Sequence, residues 1–237
     1  LYGVTGSGKT SVYIKLIYDC LAHGKTALLL VPEIALTPQL LALFAAHFGE
    51  KTAVLHSGLR ITERYDTWKR IRSGQARVIL GTRSAVFAPT QELGLLIVDE
   101  EQEHTYKSEN SPRYHAREVA IYRGAQQNAL VLLGSATPSV ETMYRAKAGV
   151  FGLYQLRRRY NRQALPPVEI VDMKQELRAG NGTLISEPLL LALRQTAEAE
   201  QQAILFLNRR GTSRMLACVD CGYVPMCPAC TVDLTYH

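Results

Sequence analysis

The 237-residue sequence predicts an α/β fold built on a doubly wound parallel sheet. Three observations carry the prediction. Short apolar runs without polar alternation recur along the chain, as strands buried on both faces require. Stretches of helical period separate them, so strands and helices alternate. The first helix is preceded by Gly3-Val4-Thr5-Gly6-Ser7-Gly8-Lys9-Thr10, a turn that belongs where a parallel strand hands over to a helix.

In chain order, residues 11–20 read as a helix with Val12, Ile14, Leu16 and Ile17 as its apolar positions. Residues 25–31 are an apolar run stopped by Pro32, hence a strand. A helix follows over 40–48, a short strand over 52–55, and a helix over 60–73 that carries Trp68. Residues 77–81 and 93–98 read as buried strands, 116–126 as a helix and 129–133 as a further strand. Leu165-Pro166-Pro167 reads as a linker. Beyond it a strand is predicted over 168–172, a helix over 187–199 and a buried strand over 202–208.

The glycine-rich turn fits G-x-x-x-x-G-K-[ST], the phosphate loop of nucleotide-binding proteins. Its glycines let successive N–H groups converge on phosphate oxygens, and the helix N-terminus adds positive potential. Gly3, Val4, Thr5, Gly6, Ser7, Gly8, Lys9 and Thr10 are the candidate nucleotide contacts. Lys9 has the reach for the β- and γ-phosphates of ATP, and Thr10 offers its hydroxyl to Mg²⁺. The apolar run Leu95-Leu96-Ile97-Val98 ends in Asp99-Glu100. Asp99 is the candidate Mg²⁺ carboxylate and Glu100 the group that polarises the attacking water, so Lys9, Asp99 and Glu100 form the candidate catalytic set. A third strand end, Gly134-Ser135-Ala136-Thr137-Pro138, places hydroxyls where they can bond the acidic segment and sense nucleotide.

Composition narrows the function class. The net charge of +6 favours a polyanionic partner. No apolar run reaches the roughly 18 residues of a membrane span, which argues against a membrane protein. Cys20 reads as a buried helix residue, whereas Cys218, Cys221, Cys227 and Cys230 form C-x₂-C-x₅-C-x₂-C, a zinc pattern. The aromatic and basic segment 102–117 contains His104, Tyr106, Lys107, Arg113, Tyr114 and Arg117, types suited to stacking on unpaired bases and contacting phosphates. Thr82 and Arg83, at another strand end, are candidate DNA contacts of the sugar–phosphate kind; Thr37 and Gln39 sit comparably, and each of these serves equally as a cap or turn residue. Only two residues precede the phosphate loop, so the sequence reads as a piece cut at its N-terminus, with an equally abrupt C-terminus.

The phosphate loop, Asp99-Glu100-Glu101 and Gly134-Ser135-Ala136-Thr137-Pro138 together resemble superfamily 2 helicases. Val31-Pro32-Glu33-Ile34-Ala35-Leu36-Thr37-Pro38-Gln39, Gly81-Thr82-Arg83-Ser84-Ala85-Val86-Phe87-Ala88-Pro89 and Phe206-Leu207-Asn208-Arg209-Arg210-Gly211 narrow the resemblance to the primosomal protein N′ (PriA) family of bacterial replication-restart helicases. The resemblance implies a RecA-like first helicase lobe over 1–155, a connector over 156–200, the start of a second RecA-like lobe over 201–217, and the first part of a zinc-binding insertion over 218–237. It implies an ATP-dependent 3′→5′ DNA helicase acting in the bacterial cytoplasm on forked and single-stranded DNA. Single-stranded-DNA-binding protein and primosome loading proteins are the implied partners. ATP, Mg²⁺ and Zn²⁺ are the implied cofactors, with two zinc sites in the full-length protein, each half-built here. An arginine from the second lobe, absent from these residues, would reach the γ-phosphate. The family's Asp-Glu-Glu-His becomes Asp99-Glu100-Glu101-Gln102, so Gln102, with Ser135 and Thr137, is the candidate coupling set. A translocase that does not separate strands and a zinc-dependent scaffold with little ATPase are the competing readings.

Overall fold

The computed structural model describes residues 1–161, 164, 166–206, 221, 223, 224 and 226. The chain divides into two units, Leu1–Leu165 and Pro166–His237.

In the first unit, five parallel strands form one sheet in the order β3 (Thr52–Leu55), β4 (Val78–Gly81), β2 (Thr26–Leu30), β5 (Leu93–Asp99) and β6 (Leu130–Gly134). Every residue of β2 and β4 is buried, which is why neither strand shows polar alternation. Side chains nevertheless alternate between two cores. Ala27, Leu29, Leu80, Leu95 and Ile97 pack with Tyr13, Ile14 and Ile17 of α1 (Lys9–Ala22) and with Phe44 and Phe48 of α2 (Pro38–Phe48). Leu28, Leu30, Leu55, Ile79, Leu96 and Val98 pack with Ile71 of α3 (Ile61–Arg72) and with Ala116 and Ala120 of α4 (Ala116–Gln126). Helices thus cover both faces, the doubly wound arrangement the sequence predicts. Each fully buried Leu or Ile contributes about 1.5–3 kcal/mol.

Two short strands that sequence reading passes over complete the phosphate-loop end. β1 (Tyr2–Gly3) pairs in parallel with β7 (Gln155–Leu156), and Tyr2 forms a bridge with Ser135 just past β6. The phosphate loop is therefore fastened beside the Ser135 turn. A further helix, α5 (Val140–Lys147), begins at Ser139, whose hydroxyl accepts from the Thr142 N–H.

In the second unit, α6 (Met173–Arg178) and α7 (Glu187–Glu198) are the described regular elements. Ser186 caps α7 and Pro188 sits in its first turn, so the predicted helix stands. Two predicted strands do not. Residues 168–172 carry no ladder, and Val168 and Ile170 are 85% and 92% exposed. Residues 202–206 are likewise irregular, with Ile204 96% exposed, while 207 and 208 lie outside the described residues. An apolar run becomes a strand only where a neighbour takes up its backbone N–H and C=O groups. Among the described residues of this unit there is no such neighbour.

Candidate active site

The phosphate loop turns through Gly6 and Gly8, whose φ values of 76° and 91° belong to the left-handed region that glycine adopts freely. Gly8 is the N-cap of α1 and supplies no side-chain cap, whereas Thr37, Ser139 and Ser186 cap α2, α5 and α7. The first N–H groups of α1 are thus left for an anion, and no acidic residue in its first turn opposes one. Lys9 lies at the start of α1; its ammonium donates to the Gly3 carbonyl at 3.0 Å and sits 3.8 Å from Glu100. Thr10 follows on the same turn. The backbone N–H of Tyr160 donates to the Gly6 carbonyl at 2.8 Å, so the segment after β7 runs against the loop.

Asp99 ends β5 in register with Gly134 at the end of β6. Two tyrosines hold it. The Tyr13 hydroxyl donates to Asp99 Oδ1 at 2.7 Å, and the Tyr106 hydroxyl donates to the Asp99 carbonyl at 2.7 Å. Burial pushes the Asp99 carboxyl above the usual carboxylate range, the Glu100 charge adds to this, and the Tyr13 bond opposes it. A divalent cation there would reverse that balance. Glu100 sits in the left-handed region at φ 46°, a position costing a non-glycine residue about 1–3 kcal/mol. The turn carries its carboxylate to the Lys9 side.

From Glu100 a chain of hydrogen bonds crosses to β6. Gln102 Nε2 donates to Glu100 Oε2 at 3.0 Å, Ser135 Oγ donates to Gln102 Oε1 at 2.6 Å, and the Thr137 N–H donates to Ser135 Oγ at 2.9 Å. An amide can accept on one atom and donate on the other, so Gln102 links both neighbours without titrating. Lys9, Glu100 and the three candidate coupling residues thus form one connected network.

The candidate DNA contacts divide. Lys107 and Arg113 are exposed, and Tyr114 is half-buried against Phe87, ring centroids 4.9 Å apart. Tyr106 is corrected: it is 1% exposed and offers no face to a base, its ring lying in the core below Asp99. Thr82 is also buried, and its backbone rather than a free hydroxyl shapes the turn after β4. Arg83 donates to the carbonyls of Thr105 at 3.1 Å and Lys107 at 2.7 Å, tying that turn to the aromatic segment. Thr37 caps α2. Arg117 is not a surface cation either; it pairs with Glu101 at 2.7 Å.

Sequence reasoning missed Glu101, Tyr13 and Ser139. Glu101, 1% exposed, accepts from Arg117, from Thr142 Oγ1 and from both the N–H and the hydroxyl of Ser139. Tyr13 is not among the apolar positions read for the first helix, and the available signal is its place one helical turn after Lys9. Of the zinc candidates, Cys218, Cys227 and Cys230 lie outside the described residues, and Cys221 is exposed.

A family model described as DEAD/DEAH box helicase matches residues 1–146. The replication restart protein PriA of Bacillus subtilis is 50% identical over all 237 residues, and that of Synechocystis is 48% identical over 242 aligned residues. In both cases the chain spans 29% of the relative's length. Among solved structures, RecG bound to a three-way DNA junction is similar at a TM-score of 0.49 and 21% identity, over 84% of this chain and 28% of that one. Because the family match takes in the phosphate loop and every strand of the five-stranded sheet, the chain belongs to the DEAD/DEAH box helicase family.

Proposed function

We propose that this chain is the ATP-binding lobe, with the beginning of a second lobe, of an ATP-dependent 3′→5′ DNA helicase of replication restart and primosome assembly. The family uses nucleotide and Mg²⁺. The observation that carries the reading is the unbroken path from Lys9 through Glu100, Gln102 and Ser135 to Thr137. Such a path lets the state of the phosphate loop be felt at the turn after β6. Lys9 would neutralise charge on the β- and γ-phosphates, Thr10 and Asp99 would hold Mg²⁺, and Glu100 would orient the attacking water.

DNA is the proposed polyanion, forked or single-stranded. Lys107 and Arg113 supply exposed charge, and Tyr114 a partly exposed ring, on the segment that Arg83 and Tyr106 tie to the nucleotide end. Cys218, Cys221, Cys227 and Cys230 are proposed to serve two zinc sites completed by further cysteine pairs. The 48–50% identity to PriA proteins supports single-stranded-DNA-binding protein and primosome loading proteins as partners, and the bacterial cytoplasm as the place of action. No helix among the described residues is long and apolar enough to cross a membrane.

The test is DNA-stimulated ATP hydrolysis by the full-length protein. Single-stranded DNA is expected to raise turnover, and Lys9→Ala to lower it by at least about 100-fold. Absence of stimulation, or indifference to the substitution, would end the motor reading.

A further inference from the structure

We infer that Tyr13 is a positioning residue whose hydroxyl fixes the side-chain orientation of Asp99 and thereby sets the site's affinity for Mg²⁺. The inference rests on the reading of Asp99 as the Mg²⁺ carboxylate. Tyr13 stands one helical turn after Lys9, so the two share a face of α1. It is 1% exposed and belongs to the apolar core cluster that includes Ile14, Ile17, Leu29 and Ile97. A buried hydroxyl in such a place costs free energy unless it is paired. Its partner is Asp99 Oδ1 at 2.7 Å, a charge-assisted bond that holds one of the two carboxylate oxygens.

The surroundings are shaped for that bond. Gly134 lies in register with Asp99, and a Cβ on it would overlap the Tyr13 hydroxyl and sit 3.3 Å from Asp99 Oδ1. Glycine at the end of β6 therefore makes the room in which phenol and carboxylate meet. The Tyr106 hydroxyl holds the Asp99 carbonyl, so backbone and side chain of the same residue are each fixed by a tyrosine from a different segment. Without Tyr13 the carboxylate would be free to swing toward the Lys9 ammonium, whose charge already acts on it.

The experiment titrates a fluorescent ATP analogue into the full-length protein across a Mg²⁺ series and in EDTA. It compares wild type, Tyr13→Phe, Tyr13→Met and Asp99→Asn, each held below its measured melting temperature. Both Tyr13 variants fill the space and lack the donor. They are expected to raise the Mg²⁺ concentration for half-maximal tight binding on the order of 10-fold, the usual cost of losing a partner behind a metal-binding group. Affinity in EDTA should stay at the wild-type level, which a general loosening of the fold would not allow. If Asp99→Asn shifts the Mg²⁺ dependence and neither Tyr13 variant does, the positioning role is overturned. An equal loss in EDTA and Mg²⁺ overturns it too. If Asp99→Asn itself leaves the Mg²⁺ dependence unchanged, the underlying reading of Asp99 fails instead.

Discussion

His115 caps α4 with a ring nitrogen that has to stay unprotonated, since its Nδ1 accepts from the Arg117 N–H at 3.3 Å. Burial lowers its pKa below the usual 6.5, and the Arg117 charge lowers it further. The folded state therefore binds a proton less readily than the unfolded chain. Stability contributed by the neutral ring is present above the unfolded pKa and is lost as pH falls through 6.5 toward the folded value. Thermal melting of wild type against His115→Asn, which keeps a capping oxygen but does not titrate, should show the steeper acid loss in wild type. Equal slopes would contradict this account. The same residues show where sequence reading stops at this scale. The segment 102–117 is legible as basic and aromatic, but residue type does not say which way a side chain points. Tyr106 and Arg117 turn inward because each finds a polar partner there, the Asp99 carbonyl and the Glu101 carboxylate, that sequence spacing does not reveal. Lys107 and Arg113 have no such inward partner among the described residues and are exposed.

Between elements, the buried Glu101 joins the end of β5 to α4 and α5. Burial alone would raise its pKa, but the hydrogen bonds from Arg117, Ser139 and Thr142 outweigh burial and hold the carboxyl below the usual carboxylate range. Arg117 is itself largely covered, its side chain 13% exposed, so neither charge is well solvated alone. Glu101→Ala should cost about 3–5 kcal/mol in unfolding free energy, because it strands the Arg117 charge and frees the N-terminus of α5. The double variant with Arg117→Met should recover much of that loss in chemical denaturation; a loss that stays additive would show that the pair acts independently. The central strands of the sheet are legible because burial on both faces leaves an unmistakable apolar run, as in β2 and β4. α5 is not legible. It is eight residues long and carries no fully buried residue, and its apolar stripe, Val140, Met143 and Tyr144, spans little more than one turn, too short to mark a helix. β1 and β7, two residues each, are too short to have a pattern, and their pairing is fixed by the Tyr2 bridge to Ser135.

On the scale of the whole molecule, the candidate catalytic groups all belong to the first unit and would approach a bound nucleotide from that unit alone. Lys9 starts α1 directly after the phosphate loop, and Asp99 and Glu100 stand at the C-terminal end of β5, all within the first unit. Charge that builds on the outward γ-phosphate oxygens in the transition state needs a cation from the opposite side, and such an arginine is worth roughly 10³–10⁵ in turnover. The reading of the chain as one lobe with the start of another places that arginine in a part of the protein outside these 237 residues, which span 29% of the PriA relatives. Residues 1–237 alone are therefore expected to hydrolyse ATP at least about 10³-fold more slowly than the full-length protein at saturating single-stranded DNA. Phosphate release measured on both proteins decides it. The outcome also discriminates a specific competitor. The run Arg157-Arg158-Arg159 precedes Tyr160, whose N–H is bonded to the phosphate loop at Gly6. If the isolated chain turns ATP over at a rate near that of the full-length protein, the required cation is already present, and this run is where substitution to alanine should abolish it. Negligible turnover that Arg159→Ala leaves unchanged, with Mg²⁺-dependent nucleotide binding intact, would instead fit a cradle that needs a second lobe to close over it.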